Sequence, residues 1–180
     1  MSRAIFAMLA RMDLAARPLT QSDYARYGNV LSSARGDVPV VAANLGTAQK
    51  RNRLAPLINQ RPGAEANLSV FRCRPVVERP IPLRLLEKHP HSTQLFVPMN
   101  AQRYLVVVAE AAAGDDVPDL TTLAAFVAEG AQAITYHPGI WHHPMIALDE
   151  AIDFVCLVFD DGTAGDCVEA SGLVLPSVRL

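Results

Sequence analysis

The sequence predicts an all-β dominated domain with a few short helices, built as a sandwich or barrel, with the jelly roll as the leading architecture. Six short segments carry this prediction because they are rich in β-branched and aromatic residues and are bounded by Pro, Gly or Asp. The 13 prolines also suit the edges and turns of a β fold. The six predicted strands are NLSVFRCRPV (67–76), IPLRLLE (81–87), TQLFVPM (93–99), RYLVVVAE (103–110), QAITYH (132–137) and AIDFVCLVFDD (151–161).

Two helices are predicted beside the strands. The segment 17–30 is expected to hold a short helix with Thr20 as its N-cap, Asp23 at N3 and Gly28 at its end. The segment DLTTLAAFVAEG predicts a clearer helix over 119–130. Its expected N-cap is Asp119, Gly130 follows its end, and its expected buried stripe is Leu120, Leu123, Ala124 and Val127. The loop NQRPGAE (59–65) is the expected exposed tip.

Length and composition restrict the class of protein. The 180 residues suit one domain, and 51% hydrophobic with 19% charged residues is a globular composition. A net charge of −2 with scattered basic residues predicts no nucleic-acid surface, and no apolar run of membrane-spanning length occurs. We expect a flexible N-terminal extension at 1–13 and a single domain over 14–180.

The cysteines and the N-terminus bear on location. The number of cysteines is odd, at three, and no C-x-x-C pair occurs, so neither a disulfide framework nor a zinc knuckle is expected. Cys156 lies in the apolar run FVCLVF and is expected to be a core thiol. The opening MSRAIFAMLARM has some features of a secretion signal, but Arg11 interrupts its apolar run and no clear cleavage site follows. We therefore expect a cytoplasmic protein.

Two polar clusters could carry chemistry. Each is flanked by strand patterns, and in a jelly roll two such segments can face each other across the mouth of the barrel. The first is LEKHPHSTQLFVPM (86–99), with Glu87, His89, His91, Thr93 and Gln94. The second is YHPGIWHHPM (136–145), with Tyr136, His137, Trp141, His142 and His143.

The spacing of these clusters is similar to that of the two cupin motifs, in which H-x-H and a later Glu meet a His after a P-x-G-x-x-H turn. HPGIWH places Gly139 three residues before His142. Alternate residues of a strand share a face, so Glu87 and His89 can project together, and Gln94 stands where the cupin Glu would be. These residues form a possible metal tetrad of Glu87, His89, Gln94 and His142. Because an amide is a weak ligand for transition metals, a site with one divalent ion and a site with none both stay open.

Structural roles compete with functional ones at several positions. His91 and His137 lie next to prolines and are expected to be surface residues. Trp141 is more often a packing residue than a substrate platform. His142 and His143 are adjacent and point to opposite sides of an extended chain, so at most one of them is expected to enter a given pocket.

Seven segments, in family order, resemble the ureidoglycolate lyase family, called ureidoglycolate hydrolase in older naming. They run from about residue 14 to residue 170 and cover nearly the whole chain except its first dozen residues and its tail. The segments are RPLTQSDYARYGNV, NLGTA, SVFRCRP, LEKHPHSTQLFVPM, YLVVVAE, PDLTTLAAFVAEGAQAITYHPGIWHHPM and DFVCLVFDDGTAGDCVE.

The resemblance implies a cupin-like β-barrel and the cleavage of (S)-ureidoglycolate to glyoxylate and urea, a late step of purine breakdown through allantoin. It also implies a homodimer. The site residues carried over by position are His89, Thr93 and Gln94 of HPxxTQ, Tyr136, Trp141 and His142 of YxxxxWHHP, Arg72 of SVFRC, and the segment NLGTA. Lys50, just after NLGTA, stands where many relatives carry Arg. His91 does not belong to the family pattern.

The implied reaction needs a base for the hydroxyl proton, a proton for the departing nitrogen and an anchor for the carboxylate. The base is expected to be His89 or His142, with Glu87 orienting or acidifying it. A bound metal would instead lower the pKa of the substrate hydroxyl.

The remaining residues are expected to bind the substrate. Gln94 could pair with the ureido group through its donor and its acceptor. Arg72 or Lys50 could hold the carboxylate, Arg better because it can do so with two bonds. Thr93, Tyr136 and Trp141 are expected to contact the same molecule.

Three alternatives stay open beside the lyase. They are a metal-dependent cupin oxygenase or isomerase, a non-catalytic cupin that senses a small acid, and an amidohydrolase that releases ammonia and carbon dioxide with glyoxylate from the same substrate.

Overall fold

The computed structural model describes residues 13–100, 102–114, 116–170 and 172–180. Apart from Asp13, the predicted extension 1–13 lies outside these residues. The Asp13 carboxylate accepts a hydrogen bond from Arg179, which ties the start of the described chain to its end. Within the described ranges, no helix is long and apolar enough to cross a membrane.

Strands make up most of the regular structure. The described residues contain one short α-helix, α1 (Gln21–Tyr24), and two 3-10 turns at Asn44–Gly46 and Leu120–Thr122. The strands in chain order are β1 (Leu14–Pro18), β2 (Gly28–Leu31), β3 (Val40–Ala43), β4 (Ala48–Arg51), β5 (Glu65–Cys73), β6 (Ile81–Pro82), β7 (Leu86–Lys88), β8 (Gln94–Pro98), β9 (Tyr104–Ala109), β10 (Ala124–Ala128), β11 (Ala133–Tyr136), β12 (Trp141–His142), β13 (Ile146–Ala147), β14 (Ile152–Asp160), β15 (Val168–Ala170) and β16 (Ser177–Arg179).

The strands form two main sheets and one hairpin. Sheet 1 has the order β15-β7-β12-β9-β10-β1-β16-β6, with β13 also paired to β9, and sheet 2 has the order β2-β11-β8-β14-β5. From β7 to β15 the chain passes repeatedly between the two sheets, as in a jelly roll. The predicted all-β, cupin-like jelly-roll barrel with a few short helices is therefore confirmed. β3 and β4 form a separate hairpin.

The six predicted strands are present, but one of them is divided. IPLRLLE forms β6, which pairs with β16, and β7, which pairs with β12 and β15. Between them the backbone N–H of Arg84 donates to Nε2 of His143, 3.3 Å away. The chain thus changes its strand partners within 81–87. The pattern of strand-forming residues does not show this change.

The predicted helix over 119–130 is wrong. Asp119 does act as a cap, because its Oδ1 accepts from the N–H of Thr121 at 3.0 Å, but the helix is only one 3-10 turn. The chain then enters β10, which lies between β9 and β1. Pairing on both sides satisfies the β10 backbone, and this outweighs the helix preference of an alanine-rich segment. Of the predicted stripe, Leu120 is buried, whereas Leu123, Ala124 and Val127 are only partly buried. The buried residues of β10 are Ala125, Phe126 and Ala128.

The first predicted helix is present but ends early. Oγ1 of Thr20 accepts from the N–H of Asp23 at 3.2 Å, as expected for an N-cap. The helix ends at Tyr24, whose buried ring meets that of Phe126 edge-on at 5.6 Å. Gly28 does not end the helix; it opens β2.

The main core lies between the two sheets and is rich in aromatic rings. Tyr104 meets Phe154 edge-on at 5.1 Å, and Phe96 joins them from β8. Cys156 is buried in this core, as predicted, and all three cysteines are free. The predicted tip 59–65 is mostly exposed, although Ala64 is buried.

Gly28 is required by a close approach of two backbones. A Cβ at this position would lie 1.7 Å from the carbonyl oxygen of Thr135 in β11 and 3.0 Å from the ring of Tyr24. Backbone cannot yield as a flexible side chain can, so any side chain here must force β2 away from β11.

We predict that Gly28→Ala lowers the free energy of unfolding by at least about 2 kcal/mol, because overpacking against backbone is costly. Gly36→Ala is the matched control, since nothing lies within 4 Å of a Cβ there. Urea unfolding of both variants measures the difference. Equal stability of the two variants would contradict this account of Gly28.

Candidate active site

The two polar clusters meet where β7 pairs with β12. In this antiparallel pair Glu87 lies directly opposite His142. Their side chains approach to 3.6 Å between Oε1 of Glu87 and Nε2 of His142, which is longer than a hydrogen bond. His142 is 1% exposed, so the contact is shielded from bulk water.

The glycine turn before His142 also contacts the first cluster. The N–H of Gly139 donates to the carbonyl of His89 at 2.9 Å, and Gly139 itself has a φ of 80°. The rings of His89 and His142 lie nearly parallel, with centroids 5.9 Å apart. Glu87, His89 and His142 are therefore brought together from segments about fifty residues apart.

Backbone carbonyls set the proton positions of both histidines. Nδ1 of His89 lies 2.8 Å from the carbonyl of Asp166, and Nδ1 of His142 lies 3.0 Å from that of Ile140. A carbonyl only accepts, so each Nδ1 carries a proton, and in a neutral ring each Nε2 keeps a lone pair. Nε2 of His142 is buried and has no hydrogen-bond partner among the described residues. In this tautomer Nε2 is the ring nitrogen left for proton exchange in both histidines.

The pKa shifts give His89 and Glu87 different charge states near neutral pH. Burial lowers the pKa of His89, and the neighbouring His142 lowers it further, against smaller opposing effects of the Asp166 carbonyl and Glu87. Burial alone would raise the pKa of Glu87, but His142, His89 and His143 together outweigh it, and the pKa lies below its ordinary value. Near neutral pH the site therefore combines a neutral His89 with an ionised Glu87.

Tyr136 holds the ring plane of His142. The two rings are parallel within 8° and their centroids are 4.0 Å apart. Burial raises the pKa of Tyr136 well above its ordinary value, so the hydroxyl stays protonated, and it contacts Sδ of Met145 at 3.5 Å. Tyr136, predicted to bind substrate, is thus placed as a packing partner of His142.

Gln94 lies on the same face as Tyr136. The two residues are opposite each other in the pairing of β8 with β11, so their side chains share a face. Gln94 is 4% exposed, and its Oε1 is buried with no partner in the described part of the chain. An unused amide oxygen in a buried position is available to a ligand with N–H groups.

Thr93 has a different role in this segment. Its Oγ1 accepts from the N–H of Ile58 at 3.0 Å, and its own N–H donates to the carbonyl of Ile58 at the same distance. Thr93, predicted to contact substrate, instead fastens the segment before the 59–65 loop to the start of β8.

Three predicted substrate-binding residues are not brought to the cluster. Trp141 points to the opposite face of β12 from His142 and packs in an apolar group with Leu86. Arg72 lies on the outer face of β5, and its side chain is 72% exposed and paired with an aspartate. Lys50 lies on the exposed β3–β4 hairpin.

The other three histidines are exposed or bind backbone groups. His91 is exposed, as predicted. His137 contacts the carbonyl of Ala25 at 3.2 Å through Nε2. His143 uses both ring nitrogens, since Nδ1 donates to the carbonyl of Pro144 and Nε2 accepts from the backbone at Arg84.

The family model for ureidoglycolate lyase matches residues 11–173 of this chain. The chain belongs to the ureidoglycolate lyase family. It is 36% identical over 156 residues to the ureidoglycolate lyases of Salmonella paratyphi B (strain ATCC BAA-1250 / SPB7) and Escherichia coli (strain SMS-3-5 / SECEC). Each alignment covers 87% of this chain and 92% of the relative.

The solved structures that align with this ureidoglycolate lyase family member are more distant in sequence. A dTDP sugar isomerase from Desulfovibrio desulfuricans G20 aligns with a TM-score of 0.45 and 16% identity, over 83% of this chain and 88% of its own. RmlC from Streptococcus suis aligns with a TM-score of 0.39 and 14% identity, over 83% of this chain and 74% of its own.

The predicted metal tetrad of Glu87, His89, Gln94 and His142 is not arranged as a metal centre in this family member. Among the described residues, no group of three or more His, Cys, Asp or Glu side chains is placed to hold a metal ion. Gln94 contributes an amide where a metal centre would want a carboxylate. The described side chains do not fit a metal in this arrangement.

One contributor to the site was not found from the sequence. Asp166 binds His89 through its main-chain carbonyl, so the identity of its side chain gives no direct signal of that contact. The segment FDDGTAGD, with two glycines among three aspartates, could have indicated a tight loop near the site, but not which residue it holds.

Proposed function

We propose that this chain is a ureidoglycolate lyase, an enzyme that cleaves the carbon–nitrogen bond of (S)-ureidoglycolate to give glyoxylate and urea. The observation that carries the proposal is the convergence of Glu87, His89 and His142 at the β7–β12 pairing, in a chain of the ureidoglycolate lyase family. Two imidazoles and one carboxylate are sufficient for a proton to be removed at one atom and delivered at another.

His89 is the proposed base. Its Nδ1 proton is held by the Asp166 carbonyl, so the free Nε2 takes the proton of the substrate hydroxyl. The electron pair of that O–H bond forms the aldehyde C=O, and the C–N bond breaks with its electrons on the departing nitrogen. The lowered pKa keeps His89 neutral, and therefore able to accept a proton, near neutral pH.

His142 is the proposed acid, with Glu87 as its charge partner. The departing urea nitrogen takes a proton from Nε2 of His142, the atom that faces Glu87 at 3.6 Å. The proton taken by His89 then returns to His142, which restores the starting state without net loss of a proton.

Gln94 is the proposed contact for the ureido group. Its unused Oε1 can accept from a ureido N–H, and its amide N–H can donate to the ureido carbonyl. This contact would distinguish the ureido group from a carboxylate or a hydrocarbon of similar size.

A homodimer is the proposed assembly. β5 is an end strand of sheet 2, and its outward residues Leu68 and Val70 are 69% and 64% exposed. They lie beside Leu157 and Val155 of β14, which gives a continuous apolar surface next to an open strand edge. Such a surface on a soluble protein commonly binds another chain, and a second copy is the partner we propose. Sedimentation velocity tests this, and a monomer at micromolar concentration would contradict it.

The cytoplasm is the proposed location. Three free thiols, with Cys156 buried in the core, suit a reducing compartment. Fractionation of host cells tests the location, and recovery outside the cytoplasm would contradict it.

A metal-assisted reaction is the main chemical alternative. It would use the predicted tetrad to bind the substrate hydroxyl and carboxylate to a divalent ion. Metal analysis of protein purified without added ions distinguishes it. A stoichiometric metal that is needed for turnover would replace the acid–base scheme given above.

The products test the function itself. We expect urea and glyoxylate to appear in equal amounts from ureidoglycolate, because the C–N bond breaks without attack on the ureido carbonyl. Urea and ammonia are measured separately with urease absent. Ammonia in step with glyoxylate would identify an amidohydrolase, and binding without any product would identify a sensor.

We predict that His142→Ala lowers kcat/KM by at least about 100-fold, the usual minimum for losing an acid–base group. His91→Ala is the matched control, because His91 is exposed. Its kcat/KM is expected to stay within about twofold of the starting protein. Steady-state kinetics measures both variants, and similar small effects would mean that the cluster is not the active site.

We predict that Gln94→Leu, which keeps the side-chain volume, weakens kcat/KM by the equivalent of about 1–3 kcal/mol, the cost of an unpaired buried polar group. Gln102→Leu, on the surface beside Glu150, serves as control. Kinetics and melting temperatures are measured together. Unchanged kinetics at an unchanged melting temperature would remove Gln94 from the substrate site.

A further inference from the structure

We propose that Arg61 is a positioning residue for His89, acting through the loop 161–166, and this inference rests on the proposed lyase function. Arg61 does not touch the imidazole. It binds the loop whose carbonyl at Asp166 holds Nδ1 of His89. Neither the sequence motifs nor the family resemblance assigns it a role.

Arg61 binds the loop 161–166 at three positions. Its Nη1 lies 2.9 Å from Oδ2 of Asp161, and its Nη2 binds Oδ1 of Asp166. Nη1 also lies 3.4 Å from Oγ1 of Thr163. One guanidinium therefore joins both ends and the middle of the six-residue loop.

Hydrogen bonds within the loop connect the Arg61 contacts to the main-chain carbonyl of Asp166. Oδ1 of Asp166 accepts from the N–H of Asp161 at 3.1 Å, and the N–H of Asp166 donates to the carbonyl of Thr163 at 3.1 Å. With its side chain and its N–H both held, the orientation of Asp166 is fixed. Its carbonyl then accepts from Nδ1 of His89 at 2.8 Å.

Arg61 is itself fastened to the segment that carries His89. The N–H of Gln60 donates to the carbonyl of His91 at 2.9 Å, and Ile58 exchanges hydrogen bonds with Thr93. A series of contacts therefore runs from His89 to Asp166 and on to Arg61. It returns along 58–60 to His91 and Thr93, so both of its ends lie in the segment HPHSTQ.

The low exposure of Arg61 and Asp166 distinguishes their ion pair from an ordinary surface pair. The side chains of Arg61 and Asp166 are only 19% and 16% exposed, and Nε of Arg61 is buried with no partner among the described residues. The pKa of Asp166 is lowered, first by its bond to Arg61, so the pair stays charged near neutral pH. The surface pair of Arg103 and Asp149 has equally direct bonds but side chains 48% and 39% exposed, away from the cluster.

The test compares Arg61→Gln with Arg103→Gln, which breaks the surface pair. We expect Arg61→Gln to lower kcat by about 10–100-fold with KM within about threefold, because small displacements of a catalytic group are costly in rate. Arg103→Gln should leave both constants within about twofold. Arg61→Lys should retain part of kcat, because lysine keeps the positive charge but lacks the two guanidinium nitrogens that bind Asp161 and Asp166.

A second measurement does not depend on turnover. Nitrogen-15 spectra of the free enzyme, with His89 assigned through a His89→Asn variant, report which ring nitrogen carries the proton. We expect the Nδ1–H form in the starting protein and a mixed population in Arg61→Gln. An unchanged His89 signal, or kcat equal to that of Arg103→Gln, would overturn the proposal.

The two measurements separate the inference from the proposed function. If the starting protein forms no urea and glyoxylate, the lyase function fails, while the spectra still show whether Arg61 orients His89. If Arg61→Gln does not fold, Asp166→Asn is measured in its place. It keeps the backbone carbonyl and weakens the bond to Arg61, so it should shift the His89 signal in the same direction.

Discussion

The pairing of β7 with β12 is the constraint on which the rest of the site depends. It sets Glu87 opposite His142 and, in the same register, turns Trp141 and Lys88 to the other face of sheet 1. A slip of one residue would exchange the two faces and replace the imidazole with an indole. β12 has only two residues in the ladder, so the glycine turn before it and the Tyr136 ring behind it are needed to hold that register.

The cluster obtains its chemistry from backbone groups as much as from side chains. Carbonyls of Ile140 and Asp166 fix the proton on Nδ1 of His142 and His89, and a carbonyl does not titrate. The single carboxylate, Glu87, is left to balance charge rather than to orient a ring.

Much of the fold could be predicted from the sequence, because β-branched runs bounded by prolines have few other structures available. The helix predicted over 119–130 failed because local propensity was weighed without the two strands that flank β10. In the site, strand alternation placed Glu87 and His89 together. It could not place Trp141, Arg72 and Lys50, because the face that a strand presents depends on its partners. Asp166 contributes a main-chain atom, for which side-chain patterns give no signal.

The position of Trp141 has a practical consequence. It is the only tryptophan of the chain, it is 1% exposed, and the ammonium of Lys88 lies 4.6 Å from the centre of its ring. It packs with Leu86 and Leu120, on the far side of the strand from the imidazoles. Tryptophan fluorescence therefore reports the packing of sheet 1 at a position that does not touch the imidazoles. Trp141 is thus an internal optical probe of folding, and one strand separates it from the imidazole of His142.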